Sequence, residues 1–231
     1  MDKDQLIEMA LGAFEERRHE FSIFMNGVSQ WFSSHPKLCK PSLPIVHSVK
    51  ARLKDRDHLR EKISRKWDEA DPINPENIFE KITDLAGVRV LHLYQDQFPS
   101  IHNEILSKAN NLKDWYLPEQ PKAYTWDPES KQFFEGLGVV VQVKESFYTS
   151  VHYLIRPRAD SPICCEIQVR TLFEEIWGEV DHLLNYPQPS SNLACREQLR
   201  VLAKLVGAGS RLVDSIFRSS HEDVDSSKKK D

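Results

Sequence analysis

Residues 164–184, CCEIQVRTLFEEIWGEVDHLL, change their period halfway along. Up to Thr171 the side chains alternate, with Cys165, Ile167 and Val169 on one side of an extended chain and Glu166, Gln168 and Arg170 on the other, because successive residues of a strand point to opposite faces. From Leu172 the run LFEEIWGEVDHLL is strongly helical and stops at Tyr186-Pro187-Gln188-Pro189. The apolar side of the strand belongs to a core. The other side aligns a carboxylate, an amide and a guanidinium, which cost about 1–3 kcal/mol each if buried unpaired. That side is therefore either the floor of an active site or a solvated sheet face.

Working outward, GVRVLHLY (Gly87–Tyr94), VVVQV (Val139–Val143) and SVHYLI (Ser150–Ile155) are rich in β-branched residues and read as strands. The fold class this predicts is α+β, a mixed β-sheet of about five strands flanked by helices. Apolar residues at helical spacing from Leu6 to Phe32 predict one or two amphipathic helices, followed by a proline-rich hinge at Pro36, Pro41 and Pro44. RLKDRDHLREKISRKW (52–67) repeats Leu59, Ile63 and Trp67 every four residues and reads as a helix capped by Asp55 or Asp57. A further helix is expected near Ile101–Ala109, and the aromatic-rich stretch through Trp115, Tyr124 and Trp126 reads as a long ordered loop. The expected organisation is an N-terminal helical segment (1–45), a central domain (46–187), a C-terminal helix (188–219) and a disordered tail (220–231).

With 231 residues, 40% hydrophobic and 29% charged, the chain can bury a sizeable core. A net charge of -4 argues against a dedicated duplex-binding protein but does not exclude a phosphate-rich ligand. No stretch approaches the roughly 20 apolar residues of a membrane helix, so a cytoplasmic protein without a membrane partner is expected. Cys39, Cys164, Cys165 and Cys195 form no CxxC pair, which signals neither a zinc ribbon nor a disulfide framework.

Three groups of residues have chemistry to offer. Arg52, Lys54, Arg56, Arg60, Lys62, Arg65 and Lys66 form a basic run that by itself is as readily the solvated side of a helix. Asp84 stands at the start of the Gly87 strand, where it is either a turn aspartate or a metal ligand. Tyr148, Ser150 and His152 share one side of their strand, offering an aromatic plate, a hydroxyl and an imidazole. Cations for phosphates together with carboxylates for a metal are what polyphosphate transfer requires.

Taken in order, Arg52-x-Lys54, His58, Lys62, ITDLAGVRV (82–90), YTSVH (148–152) and EIQVRT (166–171) resemble the motif series of RelA/SpoT-type synthetases. The resemblance runs from about Val46 to Asn185 and includes the helix with Trp177, Glu179 and His182. It implies a nucleotidyltransferase-like fold and an ATP-dependent pyrophosphokinase (GTP diphosphokinase), a small synthetase without a hydrolase domain. It further implies that Arg52, Lys54, His58, Lys62 and Arg89 hold ATP, that Asp84 and Glu166 bind Mg2+, and that Arg52, Lys54, Asp84 and Glu166 are catalytic. Lys144, Tyr148, His152, Gln168 and Arg170 would bind the acceptor, with Tyr148 stacking on its base. Glu179 and His182 would support the site from the helix, or simply pair with each other at i,i+3.

Two positions depart from the family pattern: His58 stands where serine is usual, and Phe147 where a glycine usually precedes the tyrosine. The implied acceptor is GTP or GDP, giving guanosine penta- and tetraphosphate. The rival is a toxin-type synthetase that modifies tRNA 3′ ends, or makes an adenosine alarmone, and is held in check by an antitoxin. A homo-oligomer built on the terminal helices is the other partnership expected.

Overall fold

The computed structural model describes residues 2–40, 44–185 and 190–228, with side chains described as far as residue 220. In chain order the elements are α1 (Lys3–Ser34), β1 (Ser48–Leu53), α2 (Arg56–Arg65), the one-turn α3 (Ile78–Lys81), β2 (Ala86–His92), α4 (Phe98–Leu106), β3 (Lys122–Thr125), α5 (Pro128–Gly136), β4 (Val140–Val143), β5 (Ser150–Ile155), β6 (Cys165–Thr171), α6 (Leu172–Asn185) and α7 (Leu193–Lys228).

Six strands form one mixed sheet in the order β1-β2-β6-β5-β3-β4. The central pair β2/β6 is parallel, and antiparallel neighbours β1 and β5 flank it. Val88, Val90, Tyr153, Ile167 and Val169 are almost fully buried on one face, in register with one another. Helix α1 closes over them because Ile7, Leu11, Phe14, Phe21, Met25, Val28 and Phe32 fall on a single stripe, all buried. Helix α4 adds Phe98, Ile101 and Ile105 to the same core. Helix α6 lies on the other side, tied to β1, β2 and β6 by ion pairs.

The sheet has two strands that the sequence reading lacked. Arg52, expected at the start of a helix, lies on β1, and the helix proper begins only at Arg56 behind the Asp55 cap. Pairing with β2 decides this, since Val49, Ala51 and Leu53 alternate against Val90, Val88 and Ala86. Strand β3 occupies part of the stretch expected as a loop, held between β5 and β4. At the other end, α7 continues past the expected boundary at 219 as far as Lys228, since no Gly or Pro follows Ser210 to stop it. The expected breaks at residues 41–43 and 186–189, and the final three residues of the expected tail, lie outside the described residues. Among the described residues no helix is long and apolar enough to cross a membrane.

Candidate active site

The second face of the sheet is polar across five strands. Lys50 and Arg52 on β1 lie opposite Arg89 and Gly87 on β2. Gly87 and Arg89 in turn lie beside Glu166 and Gln168 on β6. Gln168 is next to His152 on β5, and His152 is next to Lys122 on β3. Registered partners share a face, so the alternation legible in EIQVRT belongs to a continuous floor.

Asp84 sits in the bend leading into β2. The Lys54 amide donates to the Leu85 carbonyl (2.8 Å), drawing the end of β1 alongside it. Lys54 Nζ and Lys62 Nζ reach Asp84 Oδ2 at 2.8 and 2.7 Å. Burial by itself would raise the Asp84 pKa, but the two ammonium groups outweigh it and hold the carboxyl below its ordinary range. Its second oxygen, Oδ1, is buried with no hydrogen-bond partner. In helix α2, capped by Asp55, His58, Lys62 and Arg65 fall on one face. They line a cavity together with Arg52, Lys54 and Asp84.

Glu166 lies deeper. Burial pushes its pKa up, yet His152 Nδ1 (3.1 Å) and Gln168 Nε2 (2.6 Å) outweigh this and leave it an ionised carboxylate at neutral pH. A carboxylate can only accept, so His152 carries its proton on Nδ1, and Nε2 accepts from the Tyr148 hydroxyl at 2.9 Å. Tyr148, His152 and Glu166 thus form one hydrogen-bonded line. Arg170 stands over the Tyr148 ring (5.9 Å). Lys144, past the end of β4, lies over the Tyr124 ring at 4.6 Å, and Tyr124 packs edge-on to His152 at 4.8 Å.

The predicted residues therefore gather into three adjoining groups. Arg52, Lys54, Asp84, Arg89, Glu166 and Gln168 share one cavity of about 330 Å³. His58 and Lys62 border it from α2. Tyr148 and Arg170 border it towards α6, with His152 behind them and Lys144 reached through Tyr124. Asp84 and Glu166 open into the same cavity, and the Asp84 charge acts on Glu166.

Glu175 and Lys50 are the two site residues that the sequence does not announce. Glu175 accepts from Lys50 Nζ and Arg89 Nη1, both at 2.8 Å, and its other oxygen pairs with Arg170. Against the pull of burial these cations bring its pKa down to about 2. Glu179 accepts from Arg89 Nη1 at 2.6 Å. The i,i+4 spacing of Glu175 and Glu179 was a legible signal. Lys50 was not, because β1 was not seen as a strand. Where α6 crosses the buried, ion-paired Arg170, a Cβ on residue 178 would stand 2.8 Å from Nη1, so the guanidinium would have to shift.

The mixed sheet flanked by helices is a nucleotidyltransferase-like fold, with Asp84 and Glu166 on its polar floor beneath a cation-lined cavity. The chain belongs to the RelA/SpoT family: the "Region found in RelA / SpoT proteins" matches residues 51–191. It is 26% identical over 172 residues to GTP pyrophosphokinase YjbM of Bacillus subtilis, covering 72% of this chain and 68% of that protein. Small alarmone synthetase 1 of B. subtilis, in the crystal structure with its product pppGpp, superposes with a TM-score of 0.69 at 19% identity, over 90% of this chain and 98% of the other. A GTP pyrophosphokinase family protein from Streptococcus pneumoniae gives 0.70 at 21% identity, over 90% and 95%. At these identities the superpositions establish the fold.

Proposed function

We propose that the protein transfers the β,γ-diphosphate of ATP to the 3′ hydroxyl of GDP or GTP, forming guanosine tetra- or pentaphosphate and releasing AMP. The observation that carries this reading is the placement of Asp84 and Glu166 in one cavity, with Arg52, Lys54 and Lys62 at its edge. The pppGpp bound to a protein of the same fold supports guanosine as acceptor.

The donor set fits magnesium. Among the described residues no three His, Cys, Asp or Glu gather as a complete protein cage, whereas Mg2+ with substrate phosphates needs only one or two carboxylates. Asp84 Oδ1 is a buried, unpartnered anionic oxygen facing that role, and Glu166 would be the second ligand. Bound there, the cation would neutralise charge on the triphosphate.

The chain's own residues do the rest. Lys54, Lys62, Arg52 and His58 hold the triphosphate, and Arg89 reaches it from the floor. Tyr148 stacks on the acceptor base, with Lys144 directed at its phosphates and Arg170, Gln168 and His152 lining the pocket. Glu166 orients the 3′ hydroxyl and takes its proton as the oxygen bonds to the β-phosphorus. The bond between that phosphorus and the oxygen it shares with the α-phosphate breaks, and AMP leaves with this oxygen. Positioning and charge neutralisation supply most of the acceleration.

Asp84→Asn tests the reading. It keeps the side-chain shape and should lower diphosphate transfer at least ~100-fold with an unchanged circular dichroism spectrum. Turnover at the wild-type rate would refute the assignment. Transfer of label to deacylated tRNA in place of GDP would instead favour the toxin-type reading.

A further inference from the structure

We infer that Phe147 is a positioning residue through which helix α7 sets the acceptor-stacking tyrosine; the inference rests on the acceptor role proposed for Tyr148. Among the described residues only Lys113 and Phe147 are non-glycine residues with positive φ, Phe147 at 60°. Glycine adopts this conformation freely, whereas phenylalanine keeps it only when its surroundings impose it.

The surroundings are specific. The Phe147 ring lies 5.0 Å from Trp126 and under the Arg200 guanidinium of α7 at 6.0 Å. It packs in a small core separate from the main one, around Trp177 of α6 and Ala203 and Val206 of α7. Trp177 is itself pinned to α7 by its indole N–H, which donates to the Leu199 carbonyl at 3.1 Å. One residue on, Tyr148 makes the bond to His152 that continues to Glu166. The backbone torsion at 147 thus aims Tyr148, and α7 holds that torsion by gripping the ring. The cavities lined by Lys54, Lys62 and Asp84 are not bordered by Phe147, Ala203 or Val206, which line a separate one, so the grip bears first on the acceptor half.

The test is steady-state kinetics on the full chain with GDP and ATP varied in turn, together with GDP titration followed by tryptophan fluorescence. Phe147→Gly accepts the torsion but releases the ring, so Tyr148 samples other directions. If the competent one falls to about a tenth of the population, KM and apparent Kd for GDP rise about tenfold, with the ATP KM within about twofold. Val206→Ala, which thins the α7 side of the grip, should raise the GDP KM about threefold with the same selectivity. Phe147→Leu retains apolar bulk and should stay close to wild type. Equal rises in both KM values, or an unchanged GDP KM in folded Phe147→Gly, would overturn the inference. If Phe147→Gly does not fold, Val206→Ala decides by the same criteria. Tyr148→Ala separates the two layers: if it weakens GDP while the Phe147 and Val206 variants do not, the coupling fails and the acceptor reading stands. If it leaves GDP unaffected, both fail.

Discussion

Replacing Glu175 by glutamine removes the one carboxylate that faces Lys50, Arg89 and Arg170 together. The Glu175 and Arg170 side chains are only 7% and 4% exposed, so the arginine would be left as a buried charge with a neutral amide beside it. Taking one partner from a buried pair costs about 3–5 kcal/mol. The depressed acidity points the same way: the three cations hold the carboxyl at about 2, against an ordinary 4.5, and at about 1.36 kcal/mol per pH unit this is worth roughly 3 kcal/mol. Glutamine keeps an acceptor oxygen, so the lower figure is expected, a Tm loss of roughly 6–12 °C for a chain of this size. A depressed carboxyl pKa stabilises the fold fully above the unfolded-state value and loses its effect as pH falls through the folded one. The gap between wild type and Glu175→Gln should therefore be complete at pH 7 and shrink between pH 4.5 and about 2. Thermal unfolding followed by circular dichroism at several pH values measures it. A Tm within 1–2 °C of wild type at pH 7 (roughly 0.5 kcal/mol) would show that the cluster is not the buried ionic hub described.

Gly178→Ala places a Cβ 2.8 Å from the buried Arg170 Nη1 and should destabilise by about 1–3 kcal/mol as α6 is pushed away. Gly207→Ala in α7 meets only Arg211, at 3.8 Å, and should be neutral or stabilising by up to about 1 kcal/mol. Equal effects in urea unfolding would contradict the close α6 crossing. Burial raises the Cys164 thiol to about 12 and pushes Cys165 up as well. A thiol reagent at pH 8 should therefore modify only Cys39 and Cys195 in the folded protein, and rapid modification of all four would contradict the packing of β6.

Much of the site was legible because it lies on strands with regular alternation. Glu166, Gln168 and Arg170 on β6 show their common face in six letters, and His152 follows the same rule on β5. The β1 strand was not legible. SVKARL runs straight into the basic helical repeat, and only its ladder with β2 marks Ser48–Leu53 as extended, a long-range pairing that no local period reveals. Strand β3 is four residues long and set among aromatic and polar loop residues, too short for a period to show. Glu175 escaped notice for another reason. Acidic residues in the first turn of a helix are expected for the helix dipole, which hides the three cations that reach it from the sheet. Phe147 was visible as a departure from the family pattern, but its positive φ and its anchorage on α7 exist only in the folded chain.

The most direct measurement follows ATP labelled in its β and γ phosphates as purified protein is given Mg2+ and GDP. The predicted result is transfer of both labelled phosphates together to the guanosine nucleotide with one AMP formed per transfer, and loss of this product in Asp84→Asn. Release of ADP with a single phosphate moved, or folded wild-type protein that transfers no label to a guanosine nucleotide, would contradict the account.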